Sequence, residues 1–208
     1  MPIIAIATSK GGSGKTTLAA CLADYWAKKS LRVECLDTDP NRNLHDWLRT
    51  GNGGTICTAV EEEALLDAAE RAAETADRVV IDVAGSLAKG LLYAVSVAQV
   101  VIIPCRCDRK DVVEACRTQE LIHSAGKMVR RTISHAAVLT QVNRRAEVTT
   151  HTRQQLEIME VPVLAADLPG RTAYQQASYT GSPLTNPDVR KDIAAIAAEI
   201  DLLIERAS

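Results

Sequence analysis

Apolar segments and amphipathic segments alternate along this chain of 208 residues. Six apolar runs have the continuous hydrophobicity of strands that are buried on both faces of a sheet. These predicted strands are Ile3–Thr8, Arg32–Asp37, Arg78–Val83, Val100–Cys107, Ile133–Val142 and Val161–Ala166. Six other segments have helical periodicity, namely Lys15–Lys29, Val60–Thr75, Leu87–Ala98, Asp108–Ala125, Thr149–Met159 and Asp188–Arg206. The alternation predicts an α/β fold with a doubly wound, mostly parallel sheet flanked by helices.

The composition favours one aliphatic domain, and we predict a single domain over residues 1–208. The chain has two Trp, four Tyr and no Phe, so we expect a core of Ala, Val, Leu and Ile. No apolar run approaches the roughly 20 residues that cross a bilayer. The N-terminus also lacks the basic and apolar regions of a secretory signal. We therefore expect a cytoplasmic protein.

The six cysteines do not form a metal-binding pattern. Cys105 and Cys107 are close in sequence, but a C-x-C pair without a second half does not make a four-ligand zinc or iron–sulfur site. The other cysteines are scattered, several of them in apolar runs where a small thiol packs well. We expect no bound transition metal.

Charge is distributed unevenly along the chain. The formal net charge is −2, but residues 104–153 carry ten Lys or Arg against five Asp or Glu, a local net charge of +5 that leaves the remainder at −7. A cationic segment in an otherwise acidic protein is a candidate surface for a polyanion. A solvated helix face explains the same charges nearly as well, so charge alone leaves both interpretations open.

A glycine-rich loop follows the first predicted strand and precedes the first predicted helix. Residues 9–17 read S-K-G-G-S-G-K-T-T and end in the G-K-[ST] of a phosphate-binding loop, with Ser9 where the first glycine is usual. Backbone N–H groups of such a loop surround phosphates, and the helix N-terminus adds a favourable dipole. We expect Lys15 to reach the β and γ phosphates and Thr16 to place its hydroxyl on Mg²⁺.

The loop contains a second lysine, Lys10, and its pattern K-G-G-x-G-K-T-T resembles the deviant Walker A motif of the ParA/MinD family of P-loop ATPases. The resemblance implies ATP or ADP with Mg²⁺ as cofactors and a homodimer that forms in the ATP state. It also implies that Lys10 crosses the dimer interface to the nucleotide of the other subunit, so that hydrolysis dismantles the dimer. The loop residues implied in nucleotide binding are Lys10, Gly11, Gly12, Ser13, Gly14, Lys15, Thr16 and Thr17.

Three carboxylates at the ends of predicted strands complete the expected site. Asp37 and Asp39 lie at alternate positions, which places both on one face of an extended segment. Their D-x-D-P context resembles the family motif, which implies that Asp37 assists around Mg²⁺ and that Asp39 orients the attacking water. Asp82 ends an apolar strand in a Walker B arrangement, where it can hold a water ligand of Mg²⁺. The predicted catalytic residues are Lys10, Lys15 and Asp39, and the predicted metal-binding residues are Thr16, Asp37 and Asp82.

Later segments extend the resemblance to about residue 184. Asn143 follows the fifth predicted strand, where related proteins place a polar residue that contacts adenine; an Asn that caps a loop is the alternative interpretation. The segment Pro169–Ala177 is similar to a late helix of the family that carries an arginine and an aromatic residue. After Asp82 the chain continues Val83-Ala84-Gly85-Ser86, whereas the family usually has Thr-Pro there.

The resemblance also implies partners and a location. A small ATPase of this kind binds DNA non-specifically as the ATP dimer, associates with the nucleoid rather than a membrane, and partitions plasmids or chromosomes with a ParB-type centromere-binding protein. Contacts with DNA phosphates need positive charge and no base-reading element, and they weaken as salt rises. The candidate DNA contacts are Lys127, Arg130, Arg131, Arg144, Arg145 and Arg153.

Four alternatives share the same loop. A MinD-like membrane ATPase needs a basic, amphipathic C-terminal helix, but residues 193–206 carry Glu199, Asp201 and Glu205. An iron–sulfur reductase needs cysteines that this chain lacks at the required spacing, whereas a biotin-pathway ligase is not excluded by spacing. A positioning ATPase that serves conjugation or secretion would keep every motif described above, so it stays open beside partition.

Overall fold

The computed structural model describes residues 1–50, 55–85, 88–181 and 183–207. These residues form seven strands and eight α-helices. The strands are β1 (Ile3–Ile6), β2 (Val33–Asp37), β3 (Ile56–Ala59), β4 (Arg78–Asp82), β5 (Val100–Arg106), β6 (Ser134–Val142) and β7 (Leu168–Pro169). The helices are α1 (Lys15–Ala27), α2 (Asn43–Thr50), α3 (Leu65–Thr75), α4 (Ala88–Val97), α5 (Arg109–Met128), α6 (Glu147–Ile158), α7 (Thr172–Thr180) and α8 (Pro187–Ala207).

The strands of the described chain make one parallel sheet in the order β3-β2-β4-β1-β5-β6-β7. The chain builds one side of β1 with the next three strands and the other side with the last three, the reversal that characterises a doubly wound sheet. Ile6 pairs with Asp82, and Asp82 pairs with Asp37. The carboxyl ends of β1, β4 and β2 therefore lie side by side. The predicted doubly wound parallel fold is confirmed.

Helices cover both faces of the sheet, which explains the continuous hydrophobicity of the strands. Along β1, Ile3 and Ala5 pack into one apolar layer, while Ile4 and Ile6 pack into the other. The first layer lies under α3, α4, α5 and α6, and the second lies under α1, α2, α7 and α8. None of the helices in the described ranges is both long and apolar enough to cross a membrane.

The predicted strand Val161–Ala166 is wrong. This segment makes a single isolated bridge to β6. Two of its carbonyl groups accept from Arg153 at 2.5 and 3.3 Å, and two of its amide groups donate to Glu199 at 2.8 and 2.7 Å. Because side chains bind these backbone groups, the ladder does not continue here, and the last strand, β7, forms only at Leu168–Pro169.

The hydrophobic pattern does not predict α2 or β3. The first turn of α2 is capped by Asp37, whose carboxylate accepts from the backbone N–H groups of Leu44 and His45 at 2.9 and 3.0 Å. β3 is a four-residue edge strand whose Ile56 is largely exposed, so it lacks the apolar run of a central strand.

The other predicted segments all form, with shifted ends. α3 begins at Leu65 rather than Val60 because Glu62–Ala64 form a 3-10 turn. Leu87, with which the third predicted helix begins, lies outside the described residues. The late helix implied by the resemblance is α7.

Candidate functional site

The glycine-rich loop joins the end of β1 to the start of α1, as predicted. Gly12 and Gly14 have φ angles of 73° and 94°, in the left-handed region that favours glycine. Gly14 directly precedes α1, and the hydroxyl of Thr140 in β6 donates to the carbonyl of Ser13 at 2.7 Å. The loop is thus fastened to the sheet, and it places the N-terminus of α1 at the carboxyl edge, an arrangement that binds phosphate.

Lys15 folds back over this loop. It is only 9 % exposed, and its Nζ donates to the carbonyl of Lys10 at 2.8 Å. Burial lowers the pKa of Lys15, while the negative charges of Asp82 and Asp39 oppose that shift. A lysine ammonium group held over a phosphate loop is placed to contact the terminal phosphates of a nucleotide.

Thr16 and Asp82 meet at the carboxyl edge although 66 residues separate them in sequence. The Thr16 hydroxyl donates to Oδ2 of Asp82 at 2.7 Å. The second carboxylate oxygen, Oδ1, is buried and has no hydrogen-bond partner in the described ranges. Burial raises the pKa of Asp82 to about 7. A threonine hydroxyl beside a buried carboxylate oxygen without a donor fits Mg²⁺, which prefers oxygen ligands.

Asp37 is buried beside Asp82 and makes contacts that hold the backbone. In addition to its two bonds at the start of α2, its Oδ1 accepts from the N–H of Asp39 at 3.0 Å. Burial raises the pKa of Asp37, although these three hydrogen bonds oppose the shift. The structure therefore shows Asp37 as a cap that orders the segment after β2, and its role near Mg²⁺ stays a prediction.

Asp39 is half-buried at the end of β2 and turns the chain sharply. Its Oδ1 accepts from both the backbone N–H and the side-chain amide of Asn41 at 2.9 Å. Its Oδ2 makes no hydrogen bond with any described residue. One oxygen of Asp39 is therefore committed to the turn, and the other is accessible to water.

Lys10 is bound within its own chain. Its ammonium group forms an ion pair with Asp111 of α5, and Arg106 binds the same carboxylate through Nε at 3.2 Å. Burial opposes the ionisation of Asp111, but the bonds from Lys10 and Arg106 hold its pKa below the usual value. The hydroxyl of Ser9 also hydrogen-bonds to Glu114, so α5 anchors the start of the loop at two points.

A pocket with a volume of ≈ 440 Å³ opens beside the loop. It lies between Gly14 and Thr17 on one side and Gln141 and Arg171 on the other. Asn143 does not line it. Its Oδ1 accepts from the backbone N–H of Arg145 at 3.2 Å, and its carbonyl accepts from Thr149 at 3.0 Å. This geometry favours the loop-capping alternative, and a contact of Asn143 with adenine stays a prediction.

The family described as the CobQ/CobB/MinD/ParA nucleotide binding domain matches residues 4–184. This chain belongs to that family. Membership confirms the resemblance drawn from the glycine-rich loop, and it places the loop in a nucleotide-binding domain.

Two relatives of this MinD/ParA-type domain are similar over most of their length. Protein ParA of Rhizobium radiobacter is 30% identical over 204 residues, which cover 96% of this chain and 92% of the relative. Maintenance of carboxysome distribution protein A of Halothiobacillus neapolitanus is 26% identical over 183 residues, which cover 86% of this chain and 84% of the relative.

Two solved structures have the same fold as this MinD/ParA-type domain. The ATP complex of a single-residue variant of Cyanothece McdA superposes with a TM-score of 0.82 at 18% identity, covering 97% of this chain and 96% of that one. MinD of Pyrococcus horikoshii, solved with Mg-ADP, superposes with a TM-score of 0.79 at 16% identity, covering 100% and 98%.

Two further residues of this MinD/ParA-type domain contact the site and were not identified from the sequence. The hydroxyl of Thr38 donates to the carbonyl of Asp82 at 3.1 Å and accepts from the N–H of Ala84 at 2.9 Å, which fastens the ends of β2 and β4 together. Gly85 packs against the loop, since a Cβ there would lie 3.0 Å from the Nζ of Lys15. In the sequence, the departure from the family's Thr-Pro after Asp82 is a signal that points to Gly85. No motif in the sequence points to Thr38.

Five of the six candidate DNA contacts separate into two groups, and the sixth, Arg153, lies within α6. Arg144 and Arg145 follow β6 at the carboxyl edge, whereas Lys127, Arg130 and Arg131 precede β6 at the amino edge. Arg144 is paired with Asp167 and Asp192, and the guanidinium groups of Arg131 and Arg153 donate to backbone carbonyls. Among the six, the cations whose side chains make neither an ion pair nor a hydrogen bond with another described residue are Lys127, Arg130 and Arg145.

Proposed function

We propose that this chain is a Mg²⁺-dependent ATPase that dimerises on ATP, binds DNA non-specifically as the dimer and partitions plasmids or chromosomes. The observation that carries the proposal is the convergence of Lys15, Thr16 and Asp82 on one phosphate loop, with the Oδ1 of Asp82 buried and without a hydrogen-bond donor among the described residues. Membership of the nucleotide-binding family supports the same conclusion.

The nucleotide would be held by the loop. The N–H groups from Gly11 to Thr17 and the ammonium group of Lys15 would neutralise its phosphates, and the adjoining pocket of ≈ 440 Å³ would receive its base. Thr16 and Asp82 would hold Mg²⁺, directly or through water. When bound, Mg²⁺ supplies electrostatic stabilisation of the charge that develops on the phosphates.

Hydrolysis would depend on Asp39. The bonds from Asn41 fix the orientation of its carboxylate, while its Oδ2 makes no hydrogen bond with a described residue and the side chain is only half-buried. A carboxylate held in this way can orient a water molecule for in-line attack and accept its proton. Asp39→Ala should therefore bind ATP without hydrolysing it.

Dimerisation would use Lys10 after a change of partner. The side chain of Lys10 is 24% exposed, so its ammonium group can leave Asp111 without unfolding the loop. Asp111 would keep its bond to Arg106. Lys10 would then contact the nucleotide of the second subunit, and a dimer held by this contact would separate once the γ-phosphate has left.

Binding to DNA would use exposed cations, foremost Lys127, Arg130 and Arg145, because they are not neutralised within the described chain. A ParB-type centromere-binding protein would stimulate hydrolysis and release the DNA. The similarity to Protein ParA of Rhizobium radiobacter over 96% of the chain supports partition as the process. On this proposal the protein is cytoplasmic and associated with the nucleoid.

A positioning ATPase for another cargo is the second candidate. The similarity to a protein named for the maintenance of carboxysome distribution supports it, and every residue assigned above would keep its role. A membrane-associated ATPase is less well supported, because the apolar face of α8 packs into the core through Ile193, Ile196, Ile200 and Ile204.

Salt-dependent co-sedimentation with DNA in the presence of ATP, ADP or no nucleotide tests the proposal. Wild type should bind DNA with ATP only, and Lys15→Ala should lose nucleotide and DNA together. Lys10→Ala should bind ATP but stay monomeric, whereas Asp39→Ala should persist as a DNA-bound dimer. Lys191→Ala, which removes an exposed lysine of α8, is the control for charge. If DNA binding does not depend on the nucleotide, the proposed ATP-dependent switch is refuted. If Lys10→Ala dimerises with ATP, the proposed role of Lys10 in the dimer is refuted.

A further inference from the structure

A second pocket lies at the amino edge of the sheet, at the opposite ends of the strands from the phosphate loop. It forms where α5 ends and β6 begins, and its volume is ≈ 630 Å³. Lys127, Arg130 and Arg131 line it together with His123 and His135. The mechanism proposed above for nucleotide hydrolysis does not use this pocket.

The shape of the pocket is built by the turn between α5 and β6. The N–H of Arg131 donates to the carbonyl of Gly126 at 3.0 Å, and a Cβ on Gly126 would lie only 2.8 Å from the carbonyl of Arg131. Arg130 has a φ of 55°, a left-handed conformation that turns the chain sharply. The pocket is therefore a preformed concavity rather than a gap between mobile side chains.

Two side chains of the pocket are held in place. The guanidinium group of Arg131 donates to the carbonyls of Ser96 and Ala98 at 2.7 and 2.9 Å, beside the end of α4. The ring of His135 lies 3.2 Å from the carbonyl of Ile133 through Nδ1, and it packs edge-on against the ring of His123 with centroids 5.3 Å apart. Lys127 and Arg130 are exposed in the same lining.

The pocket carries only positive charge. None of its described lining residues is acidic, whereas Lys10 and Arg144 at the carboxyl edge are both paired with carboxylates. Burial lowers the pKa of His135, so the charge comes from Lys127, Arg130 and Arg131. Three cations in one concavity, without a counter-ion among its described lining, attract an anion that carries several charges.

We propose that this pocket binds the phosphate backbone of DNA, as a second phosphate site remote from the nucleotide. The inference rests on the DNA binding proposed above and places Lys127 and Arg130 of that proposal, together with Arg131, in one site at the amino edge. Lys127 and Arg130 would each contact a phosphate as flexible exposed cations, while Arg131, held by α4, would fix where the backbone enters. Contacts with phosphates do not depend on the base sequence, which agrees with non-specific binding.

The test compares two variants that lose the same charge. Lys127→Ala/Arg130→Ala removes two cations of the pocket, and Arg71→Ala/Arg206→Ala removes two exposed cations of α3 and α8. With ATP present, the pocket variant should bind a short duplex about tenfold more weakly, and its slope of log affinity against log salt should fall by about 2. The control variant should keep the wild-type slope. Melting temperatures measured on both variants check that each is folded.

A spectroscopic readout locates the contact independently. The ring resonances of His123 and His135 should shift when a short duplex is added to the ATP-bound protein, and they should not shift with ADP alone. If both double variants lose affinity equally, or if the His resonances do not respond to DNA, the pocket is not the site, although DNA binding itself stands. If wild type fails to bind DNA with ATP, the proposed function itself fails. Pocket-dependent binding to anionic vesicles without binding to DNA would overturn the inference in favour of a lipid surface.

Discussion

The two edges of the sheet use charge in opposite ways. At the carboxyl edge, cations and carboxylates are interleaved: Lys10 pairs with Asp111, Lys15 lies near Asp82, and Arg144 pairs with Asp167 and Asp192. At the amino edge, Lys127, Arg130 and Arg131 share a pocket without any acidic residue among its described lining. At the carboxyl edge these charges are compensated within the chain, with exposed Arg145 as the exception, whereas at the amino edge they are not.

The two edges therefore differ in how much a single charge contributes to stability and to binding. Where charges are buried and interleaved, removing one leaves its partners uncompensated in a poorly solvated environment, so single substitutions have large effects. Where cations are exposed and act together, each contributes a small part that salt screens.

Lys15→Ala should have the largest effect, a loss of nucleotide affinity of about 1,000-fold. The substitution removes a nearly buried cation from the phosphate loop and leaves Asp82 and Asp39 to repel the phosphates. Calorimetric titration with ADP and with an ATP analogue measures the loss. Lys127→Ala at the amino edge is the control and should bind nucleotide like wild type. Equal effects of the two substitutions would remove the contrast between the edges.

Asp82→Asn should stabilise the nucleotide-free protein by up to about 4 kcal/mol at pH 8 in the presence of EDTA. Burial raises the pKa of Asp82 from 3.8 to about 7, so the folded protein retains a proton that the unfolded chain releases between these values. Its contribution to stability is therefore lost as pH rises towards 7. The advantage of Asn should be full above pH 7 and vanish below about pH 4.

Urea denaturation at several pH values measures this difference between Asp82→Asn and wild type. The same variant should lose the additional stability that wild type gains from Mg²⁺ with nucleotide, because an amide replaces the carboxylate that would hold the metal. An advantage of Asn that does not depend on pH would show that the buried charge of Asp82 is not its source.

Gly85→Ala should weaken nucleotide binding by about tenfold, without unfolding the protein. The new Cβ would lie 3.2 Å from backbone atoms of both Lys10 and Ser9, so the loop must move by a few tenths of an ångström. Phosphate binding depends on loop geometry, and a small displacement is costly. Gly90→Ala in α4 is the matched control, because its nearest contact is the flexible side chain of Glu62 at 3.5 Å. If both variants bind nucleotide like wild type, the packing of Gly85 does not determine the conformation of the phosphate loop.

Sequence reasoning finds the parts of the site that are local in the chain. The loop from Ser9 to Thr17 and the acids that end β2 and β4 each have a recognisable pattern within a few residues. It does not find Asp111, which lies 101 residues from Lys10 in sequence and carries no motif of its own. Partners of this kind are brought together by the register of the strands, which a pattern along one segment does not encode.

The fold shows the same limit. Central strands such as β1 and β4 are predictable because burial on both faces makes them apolar throughout. β3 is not predicted because an edge strand exposes residues such as Ile56 and so lacks a continuous apolar run. α2 is not predicted because the residue that caps it, Asp37, belongs to the preceding strand. The segment Val161–Ala166 is apolar, yet Arg153 and Glu199 bind its backbone, so its composition alone is misleading.

The smallest predicted effect distinguishes two adjacent arginines at the carboxyl edge. Arg145→Ala should weaken DNA binding by about two- to threefold and reduce the salt slope by about 1, because Arg145 is exposed and makes no ion pair within the described chain. Arg144→Ala should leave the slope unchanged, because Asp167 and Asp192 already neutralise that guanidinium group. It should instead lower the melting temperature, since Asp192 is 5% exposed and would keep only Arg171 among the described residues. Fluorescence anisotropy at several salt concentrations separates the two variants. An equal change of slope for both would mean that the ion pairs of Arg144 open on DNA, and that the carboxyl edge is not internally compensated.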